Sequence, residues 1–546
     1  MSSPDVIPSK ALARENFEPT FFSIVDMIAV NASHCPRDIA WVEGEMEINW
    51  RELNRQIDQF AHALKDNGLQ QGESVALLGG NSFWSYLTGF ATMRAGGVIC
   101  PMSTLLTPTM LLTLVDDCGA KLLFVDAGYL DLAQQVRALT KGLELIYAGE
   151  KVTATRSFAE FIGSAVSRPF YLPLSASDPA NIIYSSGTTG TPKGIVHSHG
   201  ARVGFSHQIG HGCRYSNQSR VLVSTSPNSN ATWAFIFPAI WLGGTVITMG
   251  LFDVADMLDQ IARHSVSHMF IVPTQARAIV DNASSKDANF SSLECVITAG
   301  APMPLVLKDA MRDLIGEKLY ELWGFSESVG TIIAPEEMRQ RPESVGRSWT
   351  GSELRIIDDN DGDITGRGQG EIVGRTTSTM CGYLNRDEAN REIAWYDEFH
   401  RLYLRTGDIG ELDEDGYLTL RGRKKDMISS GGLNVFPVDI EKVLLQHDDI
   451  IDVSVFGAEH QKWGETPVAA VLLVDGSSLS SEDIKNWAND RLAKFQRLFE
   501  VVVYSDDFPR NNMGKVLKSE LKDAFQLGAI PKCNLASAAA ARVSKS

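Results

Sequence analysis

The chain has 546 residues, of which 44% are hydrophobic, seven scattered cysteines and a net charge of −17. This length exceeds one ordinary core and predicts two or more domains, and the acidic balance argues against binding to nucleic acids or anionic membrane surfaces, which need basic patches. The dispersed cysteines, the polar residues 1–18 and the lack of a bilayer-length apolar stretch lead us to expect a cytoplasmic protein without integral membrane contact.

The first half of the chain alternates strand-like and helix-like segments. Ser74 to Leu78 is a short apolar run that predicts a strand, and large residues at helical spacing predict a helix from Phe83 to Met93. Further strands are predicted at Gly96 to Cys100, Leu122 to Val125, Asn181 to Tyr184 and Met269 to Val272. This alternation is typical of βαβ units around mostly parallel sheets and predicts an α/β fold.

A glycine-rich loop follows the predicted strand at Asn181 to Tyr184. It reads Ser185-Ser186-Gly187-Thr188-Thr189-Gly190-Thr191-Pro192-Lys193-Gly194. Glycines let backbone N–H groups approach a ligand closely, and the hydroxyls and Lys193 add donors, a combination that suits a polyphosphate. Because no Gly-Lys-Ser/Thr sequence closes the loop, it is not a Walker loop.

After Leu354, short strands and acidic turns replace the βαβ pattern. The acidic runs at 358–363 and 413–416 favour solvated hairpin turns over calcium sites, and the first run lacks the terminal Glu of an EF-hand loop. The polar segment 422–426 lies between two strand-like stretches and is the predicted domain boundary. We therefore expect a large domain over residues 1–424, a small α+β domain over 425–527, and a disordered tail over 528–546.

The small domain has its own predicted elements. Helices are predicted at Asp439 to Gln446 and Ser480 to Leu492, and strands at Ile451 to Phe456 and Val468 to Val474.

Four further motifs follow the glycine-rich loop in order. They read Trp323-Gly324-Phe325-Ser326-Glu327, Arg405-Thr406-Gly407-Asp408, Gly422-Arg423-Lys424-Lys425-Asp426 and Pro509-Arg510-Asn511-Asn512-Met513-Gly514-Lys515. With the loop, these motifs resemble those of the adenylate-forming superfamily, which includes acyl-CoA synthetases, luciferases and peptide-synthetase adenylation domains. The resemblance implies a large domain of layered βαβ subdomains with a small β-barrel-like subdomain, followed by a small mobile C-terminal domain.

The resemblance also implies a reaction in which a carboxylate is joined to the α-phosphate of ATP and pyrophosphate leaves. The phosphate-binding residues would be Ser185, Ser186, Gly187, Thr188, Thr189, Gly190 and Lys193. Ser326 would contact phosphate, and Glu327 would hold Mg²⁺, which prefers a carboxylate plus waters. The adenine and ribose would be held by Glu321, Trp323, Gly324, Asp408 and Arg423, with the Asp408 oxygens accepting from the ribose hydroxyls.

Lys515 is the implied catalytic lysine, which reaches the α-phosphate and the substrate carboxylate from the small domain. The site is then complete only when the two domains close. The implied hinge residue is Lys425, and rotation about it would withdraw Lys515 and present Ser430, Gly431 and Gly432 to the pantetheine arm of CoA. A hairpin turn without function is the alternative for the two glycines.

The acyl pocket is implied to be lined by Asn230, Trp233, Ala299, Gly300, Ala301, Pro302 and Phe325. Many acyl-CoA synthetases have a Pro-x-x-His segment here, whereas this chain reads Pro227-Asn228-Ser229-Asn230. A neutral Asn230 argues against a free amino acid as the substrate. Trp233 would shorten the pocket if it faces it, and packs in the core of a helix if it does not.

The expected function is that of an acyl-CoA synthetase that uses ATP, Mg²⁺, CoA and a small carboxylic acid. A carrier-protein thiol as acceptor, a luciferase-like oxygenase and a nucleotide-binding regulatory protein with a decayed site are the alternatives, and a homodimer is left open. The histidines at 197, 199, 207 and 211 invite a zinc hypothesis, which we reject because no Cys completes the cluster and the reaction needs only Mg²⁺.

Overall fold

The computed structural model describes residues 20–528, apart from 151, 153–154, 186–191, 328, 475 and 511–513. The described residues form three β-sheets and sixteen α-helices. The helices are α1 Ile24–His34, α2 Trp50–Asp66, α3 Phe83–Arg94, α4 Pro108–Cys118, α5 Leu130–Leu139, α6 Phe158–Ile162, α7 His199–Gly212, α8 Asn230–Leu242, α9 Val254–His264, α10 Pro273–Asp281, α11 Leu305–Ile315, α12 Pro335–Met338, α13 Asp387–Ile393, α14 Pro437–Leu444, α15 Ser481–Asn489 and α16 Lys518–Gln526.

The largest sheet has fourteen described strands. They are β1 Ile39–Glu43, β2 Met46–Asn49, β10 Arg220–Val223, β11 Thr245–Thr248, β12 His268–Ile271, β13 Cys295–Thr298, β14 Leu319–Gly324, β15 Gly330–Ile333, β16 Ser344–Ser348, β17 Ser352–Ile357, β18 Gly370–Thr376, β20 Ala394–Tyr396, β21 Leu402–Leu412 and β22 Tyr417–Arg423. Strands β1 and β10 to β14 run parallel, and β15 to β18 and β20 to β22 continue the sheet in antiparallel pairs. The β subdomain expected after Leu354 is thus joined by hydrogen bonds to the parallel strands.

The second sheet has eight described strands: β3 Ser74–Leu78, β4 Val98–Met102, β5 Leu122–Val125, β6 Glu144–Tyr147, β7 Arg156–Ser157, β8 Pro179–Ser185, β9 Lys193–Ser198 and β19 Gly382–Tyr383. The third has five: β23 Ile428–Ser430, β24 Leu433–Val435, β25 Ile450–His460, β26 Gly464–Leu473 and β27 Glu500–Tyr504. The chain passes from the first sheet to the third through a single 3₁₀ turn, Lys424–Asp426.

The two larger sheets are buried on both faces. Successive strand residues point to opposite faces, so Val221 and Leu222 of β10 enter different cores, as do Val75 and Ala76 of β3. Helices α1, α2, α3, α7 and α8 contribute to the core that both sheets share, α9 to α11 cover the outer face of the large sheet, and α4 and α5 cover that of the second. The third sheet has separate cores with α14, α15 and α16.

Local sequence explains why these helices start where they do. Asn49 caps α2 by accepting from the Glu52 N–H, and α2 then buries Trp50, Leu53, Ile57, Phe60 and Leu64 on one face. Helix α3 is buried on nearly all sides, and its buried Arg94 pairs with Asp58 of α2.

The predicted elements are confirmed, with boundaries that differ by a few residues. The strand at Ser74 to Leu78 and the strand at Leu122 to Val125 match β3 and β5 at both ends. Asn181 to Tyr184 lies inside β8, and the helix from Phe83 extends to Arg94. In the C-terminal region, α14, α15, β25 and β26 correspond to the four predicted elements. Of the predicted tail, all but Gly528 lies outside the described residues. In the described part of the chain, no helix is both long and apolar enough to cross a membrane.

Candidate active site

The glycine-rich loop connects two antiparallel strands. β8 and β9 pair so that Ser185 stands opposite Lys193. Ser186, Gly187, Thr188, Thr189 and Gly190, the other predicted phosphate ligands, lie outside the described residues.

Tyr383 joins Lys193 to Glu327. β19 pairs with β9, which puts Tyr383 opposite Ile195 and brings its ring to 4.9 Å from the Lys193 Nζ. The Tyr383 hydroxyl donates to Glu327 Oε1. The Lys193 cation at the start of β9 and the Glu327 carboxylate from the turn after β14 thus contact the same aromatic side chain.

Glu327 has the character of a hard-cation ligand. Its side chain is buried, and burial raises its pKa, while the Tyr383 hydrogen bond opposes that rise. A buried carboxylate fits Mg²⁺, which takes one or two carboxylates and has waters and phosphates as its other ligands. In the described residues, no three His, Cys, Asp or Glu side chains group as a metal cage.

Asp408 is held by side chains from two other strands. Its Oδ2 accepts from Trp323 Nε1 at 3.0 Å, and its Oδ1 lies 2.7 Å from Arg423 Nε. Trp323 is on β14, and the other two lie opposite each other on β21 and β22. Burial raises the Asp408 pKa and the Arg423 charge opposes that rise, so the carboxylate is held in place by one indole and one guanidinium.

Lys515 lies beside this cluster, within electrostatic reach of Asp408 and Arg423. Burial, with the charge of Arg423 next, lowers its pKa to about 8. The preceding residue, Gly514, has φ +74° and approaches α10 so closely that a Cβ there would lie 2.9 Å from the Thr274 Oγ1. A glycine is therefore needed to bring this lysine to the large sheet.

Glu321, one of the residues predicted for the adenine and ribose, forms an ion pair within the protein. It lies on the same face of β14 as Trp323, two residues earlier, but its buried carboxylate is paired with Lys308 of α11. The role of Glu321 toward the adenine and ribose stays a prediction. Gly324 ends β14, where a Cβ would meet the Val329 carbonyl oxygen at 2.9 Å.

The predicted acyl residues lie after the carboxyl ends of parallel strands, where ligands of open α/β sheets bind. Ala299 is buried at the end of β13, Gly300 to Pro302 form the loop that follows, and Gly300 has φ +92°. Phe325 follows β14 and is half-buried. Asn230 opens α8 in the segment that follows β10.

Trp233 packs in the core shared by the two larger sheets. It is fully buried, donates to the Pro227 carbonyl at 2.6 Å, and lies so close to Gly89 of α3 that a Cβ there would be 2.6 Å from its ring. The structure thus supports the core alternative for Trp233 rather than a wall of the acyl pocket.

The residues predicted for the hinge and for contact with the pantetheine arm lie where the third sheet begins. Lys425 is in the 3₁₀ turn Lys424–Asp426. Ser430 ends β23, and Gly431 and Gly432, with φ +60° and +81°, form the turn into β24. The hairpin tip is tied down by the Gly431 N–H, which donates to the Trp463 carbonyl oxygen at 2.8 Å.

Two family models match the chain. Residues 28–384 match the AMP-binding enzyme model, and residues 439–515 match the AMP-binding enzyme C-terminal domain. The chain belongs to the AMP-binding enzyme family. This confirms the resemblance to the adenylate-forming superfamily that the motifs indicated.

Known relatives of this AMP-binding enzyme align over nearly its whole length. The long-chain-fatty-acid–CoA ligase FadD13 of Mycobacterium tuberculosis (strain H37Rv) is 29% identical over 515 residues, which are 93% of this chain and 99% of FadD13. Indoleacetate–CoA ligase of Aromatoleum aromaticum is 29% identical over 494 residues, 88% of this chain and 93% of the relative.

Solved structures share the fold. ATP-bound MatB from Rhodopseudomonas palustris superposes with a TM-score of 0.84 at 24% identity, covering 93% of this chain and all of that one (100%). The o-succinylbenzoate CoA synthetase MenE from Bacillus subtilis, in complex with its acyl-adenylate, gives 0.81 at 25% identity, covering 91% and 98%.

Sequence reasoning about this AMP-binding enzyme assigned no role to Tyr383 or Arg202, and it considered His197 only as a zinc ligand. Tyr383 stands in Gly382-Tyr383-Leu384-Asn385, close to the motifs, so its position in the sequence was a usable signal. Arg202 and His197 have no such signal, because their partners are far apart along the chain.

Three of the four histidines of the zinc hypothesis have separate partners, and the Nε2 of the fourth, His199, is buried without one. His197 contacts Arg202, the His207 ring packs on Trp241, and His211 Nδ1 lies 3.2 Å from the Thr350 hydroxyl.

Proposed function

We propose that this chain is an AMP-forming carboxylic acid:CoA ligase. In the first step the acid's carboxylate attacks the α-phosphate of ATP, and pyrophosphate leaves. In the second step the CoA thiol attacks the acyl-adenylate, which yields acyl-CoA and AMP. The observation that carries the proposal is the position of Lys515 beside Asp408 and Arg423. The relatives, named as CoA ligases for fatty and aromatic acids, support the thiol acceptor.

The first step joins two anions, so charge neutralisation and alignment supply most of the catalysis. Lys193, at the start of β9, is suited to the β- and γ-phosphates. Lys515 is suited to the α-phosphate and the attacking carboxylate, and Asp408 to the ribose hydroxyls. Glu327 would hold Mg²⁺, which would supply neutralisation of the phosphate charge.

The second step requires that Lys515 leave and a thiol enter. The single 3₁₀ turn between the first and third sheets is short enough to serve as a hinge at Lys425. After rotation, the turn at Gly431 and Gly432 would face the pantetheine arm. The two steps thus use different faces of the C-terminal region.

The proposed function is tested by screening pyrophosphate release over a panel of carboxylic acids, each with and without CoA. The panel should contain short and medium fatty acids, benzoate and indole-3-acetate. We expect at least one acid to give release without CoA and acyl-CoA with it. Activity that needs a carrier-protein thiol in place of CoA would contradict the proposed acceptor.

The pH dependence of the first step follows from Lys515. Burial lowers its pKa to about 8, so in the free enzyme Lys515 loses its positive charge as the pH rises through about 8. We expect kcat/KM for ATP, which reports the free enzyme, to fall about tenfold per pH unit above that point. Bound phosphates favour the protonated lysine, so kcat should fall only at higher pH. Identical profiles for kcat and kcat/KM would contradict this role for Lys515.

A matched glycine pair tests the thiol channel. Gly432 and Gly476 have φ +81° and +86°, and a Cβ at either would meet no atom within 4 Å. Gly432→Leu and Gly476→Leu therefore carry a similar backbone strain of about 1 kcal/mol. We expect Gly432→Leu alone to slow thioester formation from supplied acyl-adenylate, by about tenfold or more. Equal rates in the two variants would leave Gly432 as an ordinary hairpin residue.

A further inference from the structure

Arg202 is a fully buried cation in α7 with neutral hydrogen-bond partners. Its Nε donates to Asn181 Oδ1 at 2.8 Å, and its Nη1 donates to Asn230 Oδ1 at 2.7 Å. Its Nη2 lies 3.1 Å from His197 Nδ1. In the described part of the chain none of these partners is a carboxylate, whereas Arg94, the other arginine buried to this degree, pairs with Asp58. Burial lowers the pKa of Arg202 to about 9.

The hydrogen bond from Arg202 fixes the orientation of the Asn230 carboxamide. Its oxygen faces the guanidinium, so its NH₂ group must face the other way. That NH₂ donates to no residue that the structure describes, and unlike the NH₂ of Asn181 it is not among the fully buried amide nitrogens that have no partner. Asn230 lies in the first turn of α8, whose N-terminus adds a positive potential. The Asn230 NH₂ group is therefore a hydrogen-bond donor of fixed orientation in a region of positive electrostatic potential.

The same guanidinium also orients His197. Because His197 Nδ1 accepts from Arg202, the ring proton is on Nε2, which donates to the Ser326 carbonyl oxygen at 2.8 Å. Burial, with the charge of Arg202 next, keeps the pKa of His197 well below its usual value, so the ring is neutral. Arg202 therefore connects Asn230 to the turn that carries Glu327.

We propose that Arg202 is a positioning residue that holds Asn230 as a fixed N–H donor to the carboxylate of the substrate acid. This inference rests on the proposed function and deepens it. Its physical basis is that a cation without a countercharge, buried behind a preorganised donor, stabilises an anion that binds there. The segment 227–230 then selects for the carboxylate itself, through a neutral side chain.

Asn230→Asp tests the proposal without disturbing the fold. Aspartate keeps an oxygen for Arg202 and supplies the missing countercharge, but it has no N–H to donate and repels the acid. We expect a melting temperature at or above that of the wild type, a KM for the acid raised about tenfold or more, and a KM for ATP within about twofold. The acid is the best wild-type substrate among hexanoate, octanoate, benzoate and indole-3-acetate.

Asn289→Asp is the matched control. It adds the same charge at an exposed position, and its oxygen can still accept from the Ser291 N–H. This variant should leave both KM values unchanged.

Arg202→Met extends the test to the cation. In this background Asn230→Asp should lower the melting temperature, because the buried carboxylate would have lost its partner. Direct pairing thus predicts that the change in melting temperature caused by Asn230→Asp has opposite signs in the two backgrounds. A change of the same sign in both would overturn the pairing.

Two outcomes separate this inference from the proposed function. Acid-dependent AMP formation by the wild type, with an unchanged acid KM in Asn230→Asp, overturns the role of Asn230 and leaves the ligase function standing. A wild type that forms no AMP with any acid overturns the ligase function, and the melting temperatures still test the pairing of Arg202 with residue 230.

Discussion

Lys515→Ala is expected to reduce acid-dependent adenylation by about 10³-fold while acyl-adenylate supplied from outside is still converted to acyl-CoA. The reason is that Lys515 lies beside Asp408 and Arg423, where it can neutralise charge on the α-phosphate. In the second step the proposed rotation withdraws Lys515 from the site, so its loss should not slow that step. Pyrophosphate exchange measures the first step, and thioester formation from the supplied adenylate measures the second.

Lys522→Ala provides the control for Lys515→Ala. Lys522 lies in the middle of α16, and its ammonium group pairs with Glu465 rather than with the Asp408 cluster. We expect this variant to keep both half-reactions. If Lys515→Ala slowed both half-reactions to the same extent, the lysine would be structural, and the two-conformation account would fail.

Asp408→Ala is expected to impair both half-reactions and to raise the KM for ATP by about 100-fold. A buried carboxylate that accepts from the two ribose hydroxyls contributes several kcal/mol in charge-assisted hydrogen bonds. ATP and the acyl-adenylate carry the same ribose, so the loss should appear in both steps. In this it differs from Lys515→Ala, and the pair of variants separates nucleotide binding from phosphate chemistry.

Removal of Asp408 also leaves Trp323 and Arg423 without their partner, so stability must be measured alongside activity. Glu371→Ala is the comparison, because Glu371 is a buried carboxylate of β18 that accepts from Arg405 and Lys424. Both variants should lose stability, but only Asp408→Ala should lose ATP affinity. An unchanged KM for ATP in Asp408→Ala would remove this residue from the nucleotide site.

The elements with a strong local pattern could be predicted from the sequence. Ser74 to Leu78 is apolar on both faces, as a strand between two helical layers must be, and it forms β3. Helix α3 was equally clear. The boundaries moved by a few residues where capping and pairing, rather than periodicity, decide them.

The site residues could be predicted only from the motifs, and the contacts that surround those residues could not be predicted. Glu321 lies next to the Trp323 motif but is neutralised by Lys308, which is 13 positions away along the chain. The network around Arg202 joins Asn181, His197 and Asn230, which come from three elements. Such long-range polar contacts follow from how the layers stack, so a single sequence does not reveal them.

The central claim is that the chain activates a carboxylic acid by transfer to the AMP moiety of ATP. The most direct measurement identifies the nucleotide product when the wild-type chain is incubated with ATP, Mg²⁺ and the acid panel without CoA. The account predicts acid-dependent AMP and pyrophosphate, with an acyl-adenylate detectable by mass spectrometry and absent in Lys515→Ala. Formation of ADP and phosphate, or AMP release that is independent of the acid, would contradict it.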